Sequence, residues 1–288
     1  MTPRRYMETL RLPLGAGLAM LLAACAGAPV ATPVPAAAAA AVPEIRPGVP
    51  AGYLDRSAIP DSQALVPAPP ATGSAGLAQD HAVMQAALAL RGTPRFEQAR
   101  LDADLDFPFA AGTFSCALGA SIDAQSTPAT YRLLRRTLID GAFSTRAAKE
   151  LHQRTRPFVE NGKPTCTPED EAELRGNGSY PSGHTAIGWL WALVLAQAVP
   201  ERTDALLARG RSYGESRLVC NVHWQSDILQ GRFMASGTFA RLQSDPVYQA
   251  DMAAAKVELA AARAQGSASG RDCTAEAAAL AQALPGAL

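Results

Sequence analysis

PSGHTAIGWLWALVLAQAV, residues 181 to 199, decides the fold class. After His184 it carries hardly a polar side chain. A helix that is apolar on every face must be surrounded by other elements. Pro181 suits a first helical turn, and the small residues Ser182 and Gly183 leave backbone N–H groups unpaired at that helix start. The apolar run is too short and too isolated for a chain that crosses a bilayer repeatedly. It is therefore expected to be a buried helix, the most apolar of a packed bundle.

The flanking sequence fits that reading. Ser74 is placed to cap a helix from Ala75 to about Arg91. RFEQARLDADL (95–105) and TFSCALGASI (113–122) read as helical. Pro128 opens a long helical stretch toward Arg156, with a break expected near Gly141. Residues 202–219, 224–243 and 245–265 complete the set. No alternating pattern exceeds four or five residues and no repeat is present, so the expected fold is all-α, a compact helical bundle in a single domain.

The chain has 288 residues, with 26 Lys and Arg against 26 Asp and Glu. That balance argues against a nucleic-acid partner, which usually leaves a basic excess. Arg4, Arg5 and Arg11 precede an apolar stretch from Leu12 to Leu22, the pattern of an export signal. It ends in Leu22-Ala23-Ala24-Cys25, which resembles a bacterial lipobox with Cys25 as the lipidated residue. Ordinary secretory cleavage nearby is the other reading, and both export the protein. The expected organisation is a lipoprotein-type signal peptide over 1–24, a Pro/Ala-rich tether over 25–52, a catalytic domain over 53–260 and a tail over 261–288. The expected location is the periplasm, with anchoring to the outer membrane through Cys25. Without Cys25, Cys116, Cys166, Cys220 and Cys273 remain. An even number in an oxidising compartment points to disulfides, and the sequence leaves all three pairings open. No C-x-x-C pair exists to build a thiolate zinc site.

Three segments carry chemistry. In KELHQRTRP, Lys149 and Arg156 are seven apart, two turns of a continuous helix and hence one face. In SYPSGH, a helix N-terminus of small residues is an anion site with His184 beside it. In SRLVCNVHWQSD, His223 and Asp227 are four apart, so a helix would let the carboxylate bond one imidazole nitrogen and leave the other with its lone pair. On one helix Arg217 would point roughly 120° away from His223. A break is therefore needed between them, and Asn221 tolerates the left-handed backbone that makes one. Arginine forks suit phosphate oxygens. A net-neutral chain that gathers Lys149, Arg156 and Arg217 around two histidines builds a local anion site. His81 reads as a surface residue and His152 as a structural helix residue.

Together the segments resemble the K-x6-R-P, P-S-G-H and S-R-x5-H-x3-D signature of the type 2 phosphatidic acid phosphatase superfamily. YLDRSAIPDSQALVPAPPATGS, NGSYPSGHTAIGWLWALVLA and GESRLVCNVHWQSDILQGR further resemble the class A bacterial non-specific acid phosphatases, over about Tyr53 to Lys256. Asn221 stands where that pattern carries glycine. The resemblance implies hydrolysis of small-molecule phosphate monoesters with broad specificity. His223 would be the nucleophile that becomes phosphohistidine, Asp227 its orienting carboxylate and His184 the general acid and base. Lys149, Arg156, Ser182, Gly183 and Arg217 would bind the phosphoryl oxygens. No metal and no cofactor is implied. The rivals are a nucleoside di- or triphosphatase, a vanadium haloperoxidase holding vanadate on the same constellation, and a phosphate-binding lipoprotein without turnover. The oligomeric state is left open.

Overall fold

The computed structural model describes residues 42–266 and 269–287. The expected signal peptide and Cys25 lie outside the described residues. A short hairpin, β1 (Glu44–Arg46) and β2 (Val49–Pro50), precedes the helices. These are α1 (Ser62–Leu65), α2 (Ala75–Leu88), α3 (Pro94–Leu101), α4 (Ser115–Leu118), α5 (Pro128–Ser144), α6 (Arg146–His152) and α7 (Pro157–Asn161). They continue with α8 (Glu171–Arg175), α9 (Gly183–Ala198), α10 (Thr203–Val219), α11 (Gln225–Leu242), α12 (Pro246–Ala264) and α13 (Cys273–Leu280). The fold is all-α, as the sequence predicts. Among the described residues, no helix is long and apolar enough to cross a membrane.

The apolar run forms α9, and it is the centre. Ala186, Leu190, Trp191, Ala192, Val194 and Leu195 are fully buried, with α5, α10 and α11 packed around them. Trp191 buries its polar atom along with its ring, and Nε1 is satisfied by donating to the Leu134 carbonyl at 3.0 Å. Ser182 caps the helix, its Oγ accepting from the Thr185 amide at 3.2 Å. Ser74 caps α2 in the same way.

The break expected near Gly141 is absent. α5 runs through that position to Ser144. Gly141 is there for contact, since a Cβ would lie 3.2 Å from the Ile187 Cα of α9. The real interruptions follow at Thr145 and at Gln153, where φ is +41°. Two other stretches expected to be helical are shorter than predicted. α3 stops at Leu101, and the 113–122 region is a 3-10 turn over Phe109–Phe114 running into α4, which Gly119 ends.

The segment before the bundle is pinned rather than draped. The buried Asp140 carboxylate of α5 accepts the amides of Tyr53 and Leu54 at 3.0 and 3.1 Å. Burial pushes its pKa up to about 6. Arg136 donates to the carbonyls of Ala51 and Gly52 and lies over the Tyr53 ring. Of the three open pairings, the structure has Cys116–Cys273 and Cys166–Cys220. The first ties α13 to α4. The Glu276 carboxylate of α13 also meets the buried Arg209 guanidinium at 3.2 Å.

Candidate active site

The site forms where the start of α9, the end of α10, the loop before α11 and the α6–α7 turn converge. α10 ends in a Schellman motif. Asn221 takes φ +62°, its amide donates to the Leu218 carbonyl at 2.8 Å, and the Val222 amide reaches the Arg217 carbonyl at 3.2 Å. The His223 amide bonds that same carbonyl at 3.3 Å, so Arg217 and His223 are tied through one backbone oxygen. Asparagine serves where the family pattern has glycine because its side chain is used. It exchanges hydrogen bonds with the Asn161 amide at 2.9 and 3.1 Å and donates to the Lys163 carbonyl at 2.9 Å.

His223 is not on a helix, contrary to the i,i+4 expectation. α11 begins two residues later. Asp227 instead reaches back from the first turn. Its Oδ2 accepts the Trp224 amide at 2.8 Å and lies 3.2 Å from His223 Nδ1. The pairing holds and its geometry differs: one carboxylate oxygen both caps the helix and bonds the ring. A carboxylate can only accept, so Nδ1 carries the hydrogen and Nε2 keeps its lone pair. Arg156 Nη1 points at that lone pair from 3.2 Å.

Lys149 and Arg156 do not share a helix face either. α6 ends at His152, and Arg156 is extended backbone before α7. The left-handed Gln153 turns the chain, so the two cations converge across a turn. Both reach the Gly178 carbonyl, Lys149 Nζ at 2.7 Å and Arg156 Nη2 at 3.3 Å. Arg156 Nε is held by the carbonyls of Leu174 and Asn177, each at 3.0 Å. Burial first, and then Arg156, lowers the Lys149 pKa to about 7, and burial lowers that of Arg156 to about 10.

Arg217 is 3% exposed, and its Nε and Nη1 have no hydrogen-bond partner. A buried guanidinium with idle donors is costly unless a ligand supplies the acceptors. Lys149, Arg156, Gly183, His184, Arg217 and His223 all line one cavity of about 540 Å³. Ser182, beside Gly183, is fully buried and does not line the cavity; its Oγ accepts from the Thr185 hydroxyl at 2.9 Å and its amide donates to the Asp227 carbonyl at 3.0 Å. Gly231 permits this closeness, because a Cβ there would sit 2.6 Å from the Ser182 carbonyl. His184 Nε2 faces the Ala103 carbonyl at 3.1 Å. A carbonyl also only accepts, which leaves Nδ1 as the nitrogen free to exchange a proton. Burial and the neighbouring cations depress both imidazoles well below the ordinary histidine pKa. Arg217 leads among the cations at His184, and Arg156 at His223.

The comparisons with known proteins point to one family. Residues 132–244 match the model of the PAP2 superfamily. The chain is 46% identical to a non-specific acid phosphatase of Providencia stuartii, over 72% of this chain and 84% of that one. It belongs to the class A bacterial acid phosphatases of the PAP2 superfamily. A non-specific acid phosphatase of Salmonella typhimurium is 44% identical over 69% of this chain and 80% of its own. An acid phosphatase of Zymomonas mobilis is 40% identical over 68% and 74% respectively.

Sequence reasoning missed what stands behind Asp227 in this acid phosphatase. Arg154 Nη1 pairs with Asp227 Oδ1 at 2.7 Å and Nη2 with Asp80 Oδ2 at 2.7 Å. Asp80 also accepts the Ser226 amide at 2.8 Å and its hydroxyl at 2.6 Å. The two carboxylates therefore share one guanidinium, and burial raises the pKa of Asp227 against the lowering pull of Arg154 and the Trp224 amide. Arg154 lies inside the K-x6-R-P spacing, where nothing distinguishes it from a solvated arginine. Asp80 sits on α2, far off in sequence. His81 stacks on Trp224, centroids 5.2 Å apart, and pairs half-exposed with Glu160. His152 meets the Tyr180 ring edge-on. Neither lines the cavity.

Proposed function

We propose that this enzyme hydrolyses phosphate monoesters of broad structure through a phosphohistidine, without a metal. The observation that carries the reading is Arg217, buried with idle donors in the cavity that His223 and His184 also line. His223 Nε2 attacks phosphorus and the P–O bond to the leaving group breaks. His184 Nδ1 gives its proton to the departing oxygen. In the second half, water attacks phosphorus, His184 takes its proton, and the P–N bond breaks to return inorganic phosphate and neutral His223. Arg156, Arg217, Lys149, the Ser182 hydroxyl and the Gly183 amide hold the phosphoryl oxygens, the work a divalent cation does elsewhere. Steady phosphate release from p-nitrophenyl phosphate in the presence of EDTA tests the reading. Loss of turnover that a divalent cation restores would overturn metal independence, and no release under any condition would overturn the reaction.

The charge states set the pH range. His223 must be neutral to attack, and its depressed pKa keeps it so well into acid. Lys149 must be charged to hold phosphate, and with its pKa at about 7 it loses that charge as pH rises through neutrality. The profile of kcat/KM is expected to be a bell with its optimum at about pH 5–7. Lys149→Arg should extend the alkaline limb upward, because guanidinium stays charged. A wild-type profile flat to pH 9 contradicts these roles.

Arg154 acts through Asp227 as a positioning residue. Arg154→Met is expected to lower kcat by about 10–100-fold with little change in KM, the usual scale for a partner one shell behind the chemistry. Arg154→Lys should recover part of it. Equal kcat in the Met variant and wild type contradicts the role.

For location, we propose an outer-membrane lipoprotein facing the periplasm, supported by the export signal and the lipobox-like LAAC. Wild-type protein should partition into detergent and Cys25→Ser should not. Wild-type protein recovered wholly soluble from the periplasm overturns the anchor.

A further inference from the structure

The cavity that holds His223 has a neighbour. A second cavity of about 620 Å³ shares Leu105, Glu173, Leu174, His184 and Arg217 with it. His223, Lys149 and Arg156 line only the first, while Asp104, Asp106, Glu169 and Asp170 line only the second. His184 and Arg217 thus stand at the junction.

Phosphoryl transfer places the attacking and leaving atoms in line on opposite sides of phosphorus. The nucleophile touches only the first cavity, and the residue that protonates the leaving oxygen touches both. A leaving oxygen protonated by His184 therefore has the second cavity open to the group it carries. Arg217, buried and with idle Nε and Nη1, marks the phosphoryl position between them.

The two sides carry opposite charge. Around the nucleophile stand Arg146, Lys149, Arg156 and Arg217 against Glu150 and Glu173. Around the leaving group stand five carboxylates: Asp104, Asp106, Glu169, Asp170 and Glu173. Arg46, Arg100 and the shared Arg217 oppose them; Arg100 is already paired with Glu97 at 3.2 Å, as Arg146 beside the nucleophile is with Glu150. Asp170 is close enough to act on the Arg217 guanidinium.

We propose that this acidic cup is a leaving-group subsite that favours phosphate monoesters of cationic amino alcohols and disfavours esters whose leaving group bears further phosphate. The proposal rests on the monoesterase reading above. An ethanolamine or choline moiety brings a positive charge to the carboxylates while its phosphate stays with the arginines. A nucleoside triphosphate attacked at its terminal phosphorus pushes a diphosphate into the same carboxylates. The acids are exposed, so their field is screened by salt and acts on the ratio between substrates.

The test compares kcat/KM on O-phosphoethanolamine, propyl phosphate and ATP, using the full chain at one pH. At about 10 mM salt, phosphoethanolamine should exceed propyl phosphate and ATP should fall below it. In about 1 M salt, where the screening length falls from about 30 Å to about 3 Å, the phosphoethanolamine-to-propyl ratio should fall and the ATP-to-propyl ratio should rise, each toward a limit set by its leaving group alone. The Asp106→Asn, Asp170→Asn, Glu173→Gln triple variant should lower the phosphoethanolamine-to-propyl ratio by about tenfold at low salt and raise the ATP-to-propyl ratio. Wild-type ratios that do not move between the two salt concentrations overturn the cup, as do ratios that the triple variant leaves unchanged. The wild-type salt series decides the matter if the variant does not fold. Failure to hydrolyse even propyl phosphate overturns the monoesterase reading itself, and so is distinguishable from failure of the cup.

Discussion

His223→Ala is expected to lower kcat on p-nitrophenyl phosphate by at least about 10⁴-fold, the scale seen when a covalent nucleophile is removed. The fold should survive. The ring is 4% exposed but borders the cavity, so truncation enlarges an existing space and opens no sealed void. Asp227 keeps the Trp224 amide and Arg154 after the ring is gone. Thermal melts should therefore move little, by about 1 kcal/mol of stability. Wild-type enzyme quenched during turnover should carry a phosphoryl group on residue 223 that is labile in acid and stable in base. Substantial turnover by the variant, or an adduct on another residue, removes His223 from the role. Asp227→Asn gives a companion result: the amide can donate where the carboxylate only accepts, the tautomer of His223 is no longer fixed, and kcat should fall by about 10²–10⁴-fold while the ring remains in place.

That Lys149, Arg156, Gly183, His184, Arg217 and His223 gather at one cavity was legible because they lie in short local runs, whereas their geometry was not. His223 and Asp227 were paired correctly on an incorrect helix. A spacing of four also suits a residue at the third helical position reaching back over the start, and sequence does not distinguish the two. Lys149 and Arg156 converge for a similar reason. The seven-residue spacing matches a helix face, but Gln153 adopts a left-handed conformation that its composition does not announce. Asn221 was readable because asparagine is enriched in that conformation, and the Schellman bonds around it follow. Gly141 misled, since close helix contact and a chain break both select glycine. The Asp80–Arg154–Asp227 chain and the acidic cup join residues remote in sequence, so only the packed structure brings them together.

His184→Ala should discriminate between leaving groups. Alkyl alkoxides need a proton in the transition state and p-nitrophenolate hardly does. The variant is expected to lose about 10²-fold more kcat/KM on glycerol phosphate than on p-nitrophenyl phosphate, the low end of general-acid contributions. Helix capping is no rival explanation for such a difference, because Ser182 supplies the cap. Equal losses on the two esters would falsify the acid role, provided burst kinetics show that dephosphorylation has not become the slow step. The pH profile offers a further check. Burial and then Arg217 hold the His184 pKa well below the ordinary histidine value. A bound phosphoryl group brings negative charge among those same cations and raises that pKa. The proton needed by the leaving oxygen therefore arrives with the substrate. Lys149 and His184 both lose a needed proton on the alkaline side; since kcat/KM reports the free enzyme and kcat the complex, in Lys149→Arg, where the lysine no longer titrates, the alkaline limb of kcat should still lie at higher pH than that of kcat/KM. Coincident limbs would mean that His184 does not sense the bound phosphate, and the site would then need another acid.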